Sequence, residues 1–320
     1  MKKVALIIGV NGQDGSYMCE HLIGLGYVVH GTIRRASYPN LGRIKHLLDQ
    51  VRLHYGDLTD AAGLVRLVKD LQPDEVYNLG AMSDVRVSFD IPHYAGVSTA
   101  LGALNVLEAV RFAWPYAKFY QAGSSEMFGT NPEVPSNELT GFEPASPYAA
   151  AKVYAHHMTT CYREAYNLFA VNGILFNHES ERRGAEFVTQ KIALGVAAVY
   201  TGRVKKLSLG NLHAKRDWGY APEFVAAMHL MMQHQEPSDF VVATGETHSV
   251  VEFLERAFDY VSLDWRKYVD VDPKMMRPLD VPLLLGDASK AKRELGWEPT
   301  VKFDRLVKIM VKYALDSQDH

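Results

Sequence analysis

Cysteine is nearly absent: Cys19 and Cys161 are the only two among 320 residues. Far apart in the chain, they form neither a CxxC metal pair nor a disulfide framework, so a reducing cytoplasm is the expected setting. A surplus of one charge is also missing. Lys and Arg number 34 against 37 Asp and Glu, a net charge of −3, which argues against nucleic acid or an anionic membrane as partner. Long apolar runs are missing too. Val4–Val10 is too short to cross a bilayer and is broken by Asn11-Gly12-Gln13-Asp14-Gly15 without a signal-peptidase-like site, so it reads as a buried strand. No His/Cys/carboxylate cluster suggests a metal, and no repeat or flexible linker divides the chain. What remains is an ordinary globular composition, 48% hydrophobic, long enough for a sizeable core.

Through about residue 175, short apolar runs alternate with amphipathic stretches. Strands are expected at Val4–Ile8, Val28–Ile33, Arg52–Tyr55, Glu75–Asn78, Lys118–Gln121 and Phe169–Ile174. Helical patterns lie between them at Tyr17–Leu25, Ala61–Leu71 and Gly102–Phe112, and Leu64, Leu67, Val68 and Leu71 trace one buried face. Such alternation predicts an α/β fold, a doubly wound Rossmann-type parallel sheet. The rhythm becomes irregular after Asn177. Residues 1–175 are therefore expected to bind a dinucleotide, and residues 176–320 to form a smaller substrate-binding lobe with some segments returning to the first sheet.

Gly9-Val10-Asn11-Gly12-Gln13-Asp14-Gly15 is a GxxGxxG turn between the first strand and a helix. It combines a tight turn, close backbone approach to a pyrophosphate and a helix N-terminus aimed at the anion. The second strand ends in Thr32-Ile33-Arg34-Arg35, with no acid for ribose hydroxyls but two guanidinium groups suited to a 2′-phosphate, so NADP is expected over NAD. Asp57-Leu58 and Leu79-Gly80-Ala81-Met82-Ser83 follow later strands, where adenine and nicotinamide-ribose contacts fall on this fold.

Ser146-Pro147-Tyr148-Ala149-Ala150-Ala151-Lys152 reads as a capped helix start with Tyr148 and Lys152 one turn apart. A lysine beside the phenol would lower its pKa and make Tyr148 a usable base. Tyr-x-x-x-Lys by itself is common on amphipathic helices. The strand-ending Gly123-Ser124-Ser125-Glu126 adds a hydroxyl that can orient a sugar oxygen and a carboxyl group that can remove a proton beside a ketone. Together with the glycine turn, these residues resemble the extended short-chain dehydrogenase/reductase family. Ser-Glu at this position also occurs in decarboxylases of that superfamily, and an epimerase needs only the hydroxyl, Tyr and Lys.

Further motifs are similar to the GDP-mannose 4,6-dehydratase family, from the first strand to Lys290–Pro299. They include Ser16-Tyr17, Arg34-Arg35-Ala36-Ser37, Tyr77-Asn78-Leu79-Gly80-Ala81, Phe176-Asn177-His178-Glu179-Ser180, Lys215-Arg216-Asp217-Trp218-Gly219 and Ala243-Thr244-Gly245-Glu246. The resemblance implies Ser124, Glu126, Tyr148 and Lys152 as catalytic residues, with Ser124 where threonine is usual. It implies further cofactor contacts at Tyr94, His178 and Arg183, and nucleotide-diphosphate contacts at Asn177, Lys191, Arg216 and Arg277. It implies GDP-mannose as substrate, a homodimer or homotetramer, and an Arg34–Ser37 loop able to reach a neighbouring subunit's cofactor. Gly123, Met82-Ser83-Asp84 and Glu181 depart from the family pattern, the first two near the sugar pocket. A related epimerase, reductase or decarboxylase, or a silent NADP-sensing protein, stays open at this point.

Overall fold

The computed structural model describes residues 2–38 and 40–317. Its centre is a seven-stranded, all-parallel sheet. The first half of the chain supplies β1 (Val4–Ile8), α1 (Gln13–Gly24), β2 (Val28–Ile33), β3 (Val51–Tyr55), α2 (Ala61–Leu71) and β4 (Glu75–Asn78). Then follow α3 (Val85–Asp90), α4 (Pro92–Ala95), α5 (Gly102–Ala113), β5 (Lys118–Ala122), α6 (Pro147–Tyr166) and β6 (Ala170–Leu175). A π-helical stretch, Gly96–Leu101, joins α4 to α5.

The second half supplies β7 (Asn177–Glu179), α7 (Val188–Tyr200), β8 (Leu207–Leu209), β9 (Lys215–Arg216), β10 (Trp218–Tyr220) and α8 (Ala221–Gln233). The chain then continues through β11 (Asp239–Val242), β12 (His248–Ser249), α9 (Val250–Asp259), β13 (Val269–Val271), α10 (Ser289–Leu295) and α11 (Phe303–Asp316). The sheet order is β11-β6-β5-β4-β1-β2-β3. Strand order reverses between β1 and β4, and open α/β sheets bind ligands at the carboxyl ends of strands beside such a switch point.

The expected strands agree with the observed ones to within a residue at each end. The first helix differs: it begins at Gln13, not Tyr17, because the glycine turn runs directly into it, with Gly12 as its N-cap. Gly9 adopts φ +82, and a Cβ on Gly15 would lie 2.3 Å from the Gly9 carbonyl oxygen. Only glycine lets the turn and the helix meet this closely.

Each sheet face is covered. On one side Met18, Cys19 and Leu22 of α1 pack with Phe224, Val225, Met228 and Met231 of α8. On the other, Leu64 and Val68 of α2 meet Val106 and Val110 of α5 and Tyr162 of α6. Full burial of each such aliphatic side chain is worth about 1.5–3 kcal/mol. A separate cluster holds the second lobe together, from Ile192 and Val196 of α7 through Phe253 and Phe258 of α9 to Leu306 and Met310 of α11. Met127, Phe128, Ile174, Phe176, Val241 and Leu284 form a smaller cluster where lobe and sheet meet. Among the described residues no helix is long and apolar enough to cross a membrane.

Candidate active site

Between the carboxyl ends of the strands and the second lobe lies a cleft of about 900 Å³. The glycine turn forms one end. Gly12 N donates to the Gly9 carbonyl at 3.0 Å, and Gly9 N donates to Thr32 Oγ1 at 3.2 Å, tying the turn to β2. The helix N-terminus behind it leaves backbone N–H groups available to an anion. Gly9, Asn11, Gly12, Gln13, Asp14 and Gly15 all line the cleft, as do Asp57, Leu58, Leu79, Gly80, Ala81 and Ser83.

Arg34 lines the cleft and bonds the Tyr94 hydroxyl, joining the end of β2 to α4. Arg35 does not line it. Its guanidinium turns back onto the carbonyl of Ala36, so the expected pair of arginines is one arginine at the cleft wall. Alternation along extended chain sends neighbouring side chains to opposite sides.

Asp14 is the one acid in the glycine turn, and it is neutralised from the second lobe. His178 Nε2 lies 2.9 Å from Asp14 Oδ2, and the other ring nitrogen bonds the Phe176 carbonyl at 2.7 Å. Burial pushes the Asp14 carboxyl up, but the His178 charge and hydrogen bond, with help from Gln13 and Arg183, bring it down to about 2. His178 is held above its usual value: burial opposes this, and Asp14 outweighs burial. Gln13 completes the clip, donating to the His178 carbonyl at 3.0 Å and accepting from Ser180 at 2.8 Å. Arg183 stands 3.0 Å from Glu179, off the line of its N–H, with its guanidinium 3.7 Å from the Phe187 ring centre.

At the other end of the cleft, β5 and α6 bring Ser124, Glu126, Tyr148 and Lys152 together. Ser146 caps α6 by accepting from Ala149 N at 3.1 Å, and Pro147 fits the first turn, so the sequence sets the start of the helix and hence the direction of Tyr148. Ser124 caps the short turn Ser125–Met127 by accepting from Glu126 N at 3.2 Å. Burial pushes the Tyr148 phenol up to about 12, the Ser124 hydroxyl draws it down, and the charge of Glu126 pushes it up.

The lysine differs from expectation. Lys152 donates to the Ala122 carbonyl at 2.6 Å and lies 5.8 Å from the centre of the Tyr148 ring. Burial lowers its ammonium to about 8, and Asp14 works against that shift. Lys152 thus anchors β5 to α6 and contributes a nearby positive charge, while burial dominates the phenol.

Asn177, Lys191, Arg216 and Arg277 line the lobe side of the same cleft. The Asn177 amide oxygen is buried without a partner among the described residues. Lys191 Nζ lies 3.2 Å from the Met275 sulfur. Arg216 bonds the carbonyls of Val281 and Lys215, at 2.8 and 2.9 Å, and pairs with Asp280 at 3.3 Å. Arg277 pairs with Glu126 at 3.2 Å and with Asp280 at 3.5 Å. Asp280 and its own anchor Asn211, 2.8 Å away, were missed in the sequence. No local pattern marks a turn aspartate as the holder of two distant arginines. Nor does the sequence give Asp217 a role of its own. Fully buried, it accepts from Thr244 N and Oγ1, at 2.8 and 2.7 Å, and from Gly245 N at 3.0 Å. Burial raises its carboxyl to about 6. No group of three or more metal-ligating side chains occurs among the described residues.

Known proteins share the fold and, over nearly the whole chain, the sequence pattern. GDP-mannose 4,6 dehydratase 2 of Arabidopsis thaliana is 54% identical over 98% of this chain and 87% of its own length. The Thermus thermophilus UDP-glucose 4-epimerase structure, complexed with NAD, superposes with a TM-score of 0.84 at 26% identity, covering 97% of this chain and 98% of that one. The structure of RMD from Pseudomonas aeruginosa, complexed with NADPH, shares the fold at a TM-score of 0.80 and 20% identity, covering 98% of this chain and all of that one. Residues 6–310 match the family model described as GDP-mannose 4,6 dehydratase, and the chain belongs to that family.

Proposed function

We propose that this chain is an enzyme, an NADP-dependent GDP-mannose 4,6-dehydratase that converts GDP-mannose to GDP-4-keto-6-deoxymannose. The observation that carries the chemistry is a buried carboxylate, Glu126, beside a buried phenol, Tyr148, whose ionisation it opposes. An epimerase has no need of that carboxylate; water elimination does.

The glycine turn fits a dinucleotide pyrophosphate, since Gly15 leaves no room for a side chain between helix and turn. Arg34 at the cleft wall, with no acid at the end of β2, favours the 2′-phosphate of NADP. When bound, the nicotinamide supplies the hydride acceptor for sugar C4 and the donor for C6. Tyr148 takes the proton of the 4-hydroxyl, and Ser124 holds the same oxygen. Lys152 contributes positive charge close to the phenol, which favours the phenolate. Glu126 then removes the C5 proton, acidified by the adjacent ketone, and delivers a proton to the departing 6-hydroxyl. Arg216, Arg277, Lys191 and Asn177 are read as the diphosphate side of the site. Residues up to 175 serve the cofactor and those from 176 mainly the nucleotide sugar, in a cytoplasmic homodimer or homotetramer whose exposed Arg34–Ser37 loop reaches the neighbouring subunit.

The test is a panel of GDP-mannose, GDP-glucose, UDP-glucose, UDP-N-acetylglucosamine and dTDP-glucose, read by mass spectrometry for loss of water. The highest kcat/KM is expected for GDP-mannose with no net consumption of NADPH. A preference for a UDP or dTDP sugar would overturn the substrate; net NADPH consumption would overturn the dehydratase in favour of a reductase.

A further inference from the structure

The two arginines on the diphosphate side of the cleft are held very differently. Arg216 has two carbonyl partners and one carboxylate, and its side chain is 7% exposed. Arg277 is 29% exposed, and its ion-pair partners among the described residues are two carboxylates, Glu126 at 3.2 Å and Asp280 at 3.5 Å. Asp280 is shared, since the same oxygen faces Arg216 at 3.3 Å, while Asn211 fixes its other oxygen. The Arg277 guanidinium therefore bridges an anchored acid of the lobe and the carboxylate beside Tyr148. Glu126 is faced by Arg277, by the charge of Arg216 and by the Tyr148 phenol.

We infer that Arg277 is a positioning residue shared between Glu126 and the substrate diphosphate: docking of the diphosphate draws the guanidinium off Glu126 and frees that carboxylate for proton transfer. This rests on the proposed reading of the cleft as a nucleotide-sugar site. Arg216 can meet a phosphate while keeping its carbonyl partners. Arg277 meets one by exchanging carboxylate for phosphate, a like-for-like swap of anionic acceptors on a planar fork. The base thus stays occupied until the substrate is anchored, and part of the diphosphate's binding energy goes into releasing it instead of into affinity.

GDP, which carries the diphosphate without the sugar, separates this coupling from catalysis. Its affinity is measured by calorimetry on the NADP-saturated protein, with the melting temperature of each variant recorded. Glu126→Gln removes the competitor and is expected to bind GDP about fivefold more tightly, the worth of a partly exposed ion pair. Arg277→Gln should bind GDP more weakly, and in the double variant the gain from Glu126→Gln should vanish. Glu126→Asp keeps the charge but lengthens the contact, so it too should tighten binding, and it stands in if the glutamine variant folds poorly. A gain from Glu126→Gln that persists without Arg277 would show simple charge repulsion and overturn the inference. So would unchanged affinity in Glu126→Asp. Failure of the parent protein to bind GDP would sink the nucleotide reading and the inference together; binding without coupling would sink the inference alone.

Discussion

Replacing Asp14 with asparagine keeps the shape of the side chain and removes its charge from the bond to His178. The pair joins the glycine turn to β7, with side chains 22% and 11% exposed at a separation of 2.9 Å. Lowering the carboxyl from 3.8 to about 2 corresponds to roughly 2–3 kcal/mol of stabilisation. The raised value of His178 reports the same contact from the other side and is not added. The two partners bound the pH window from opposite ends. Asp14 has its folded value depressed, so its contribution is present above pH 3.8 and lost as pH falls through about 2. His178 has its folded value raised, so its contribution is complete below 6.5 and lost as pH rises through that higher value. The substitution should therefore cost roughly 2–3 kcal/mol near pH 5.5 and progressively less as the pH rises through the raised His178 value and the imidazolium is lost. Urea denaturation followed from pH 5.5 upward measures this. A loss that does not fall with rising pH, or none at pH 5.5, would refute the pairing argument.

Arg34→Ala is expected to weaken NADP by about ten- to a hundredfold while barely affecting NAD, as loss of a charge-assisted bond to the 2′-phosphate requires. Arg35→Ala should leave both affinities near those of the parent; fluorescence titration with each reduced cofactor distinguishes the two outcomes. Gly15→Ala puts a methyl 2.3 Å from the Gly9 oxygen and 2.8 Å from the Val10 backbone, so helix and turn must move apart. Such a displacement of the cofactor should lower kcat/KM ~100-fold, and a variant that turns over normally would show the turn to be more yielding than its geometry. Glu126→Gln should still oxidise C4 yet lose at least ~100-fold in product formation, with little solvent deuterium entering C5. Near-normal turnover would remove Glu126 from the elimination step.

The strands of the cofactor half were legible because each is a short apolar run between turn-forming residues, and burial on both faces of a parallel sheet leaves no other reading for Val4–Ile8. Tyr148 and Lys152 were legible because Ser146 and Pro147 mark the helix start one turn earlier. The partners of these side chains were less accessible. Lys152 bonds a carbonyl 30 positions away, and Arg277 reaches Glu126 across 151 positions; neither contact leaves a periodic trace. That Arg34 lines the cleft while Arg35 turns to the Ala36 carbonyl was not legible, because composition at a strand end does not say which way each side chain leaves the chain. The lobe's paired strands, two or three residues long, are too short for alternation to register.

Strand β11 adds the outermost rung beyond β6, with Asp239–Val242 in parallel register against Asn172–Leu175, and α8 covers α1. The chain thus crosses into the lobe, comes back to finish the cofactor layer, and leaves again. Cutting after residue 175 would bare the hydrogen-bonding edge of β6 and strip the apolar flank of α1, leaving a fragment prone to self-association. Anyone exchanging sugar preference between relatives by joining front and back halves would be rebuilding the dinucleotide fold at the same time. The lobe loops at 209–214 and 274–280 reach the cleft without supplying a rung of the seven-stranded sheet, so exchanging them spares that sheet, provided Asn211, Arg277 and Asp280 travel as a set.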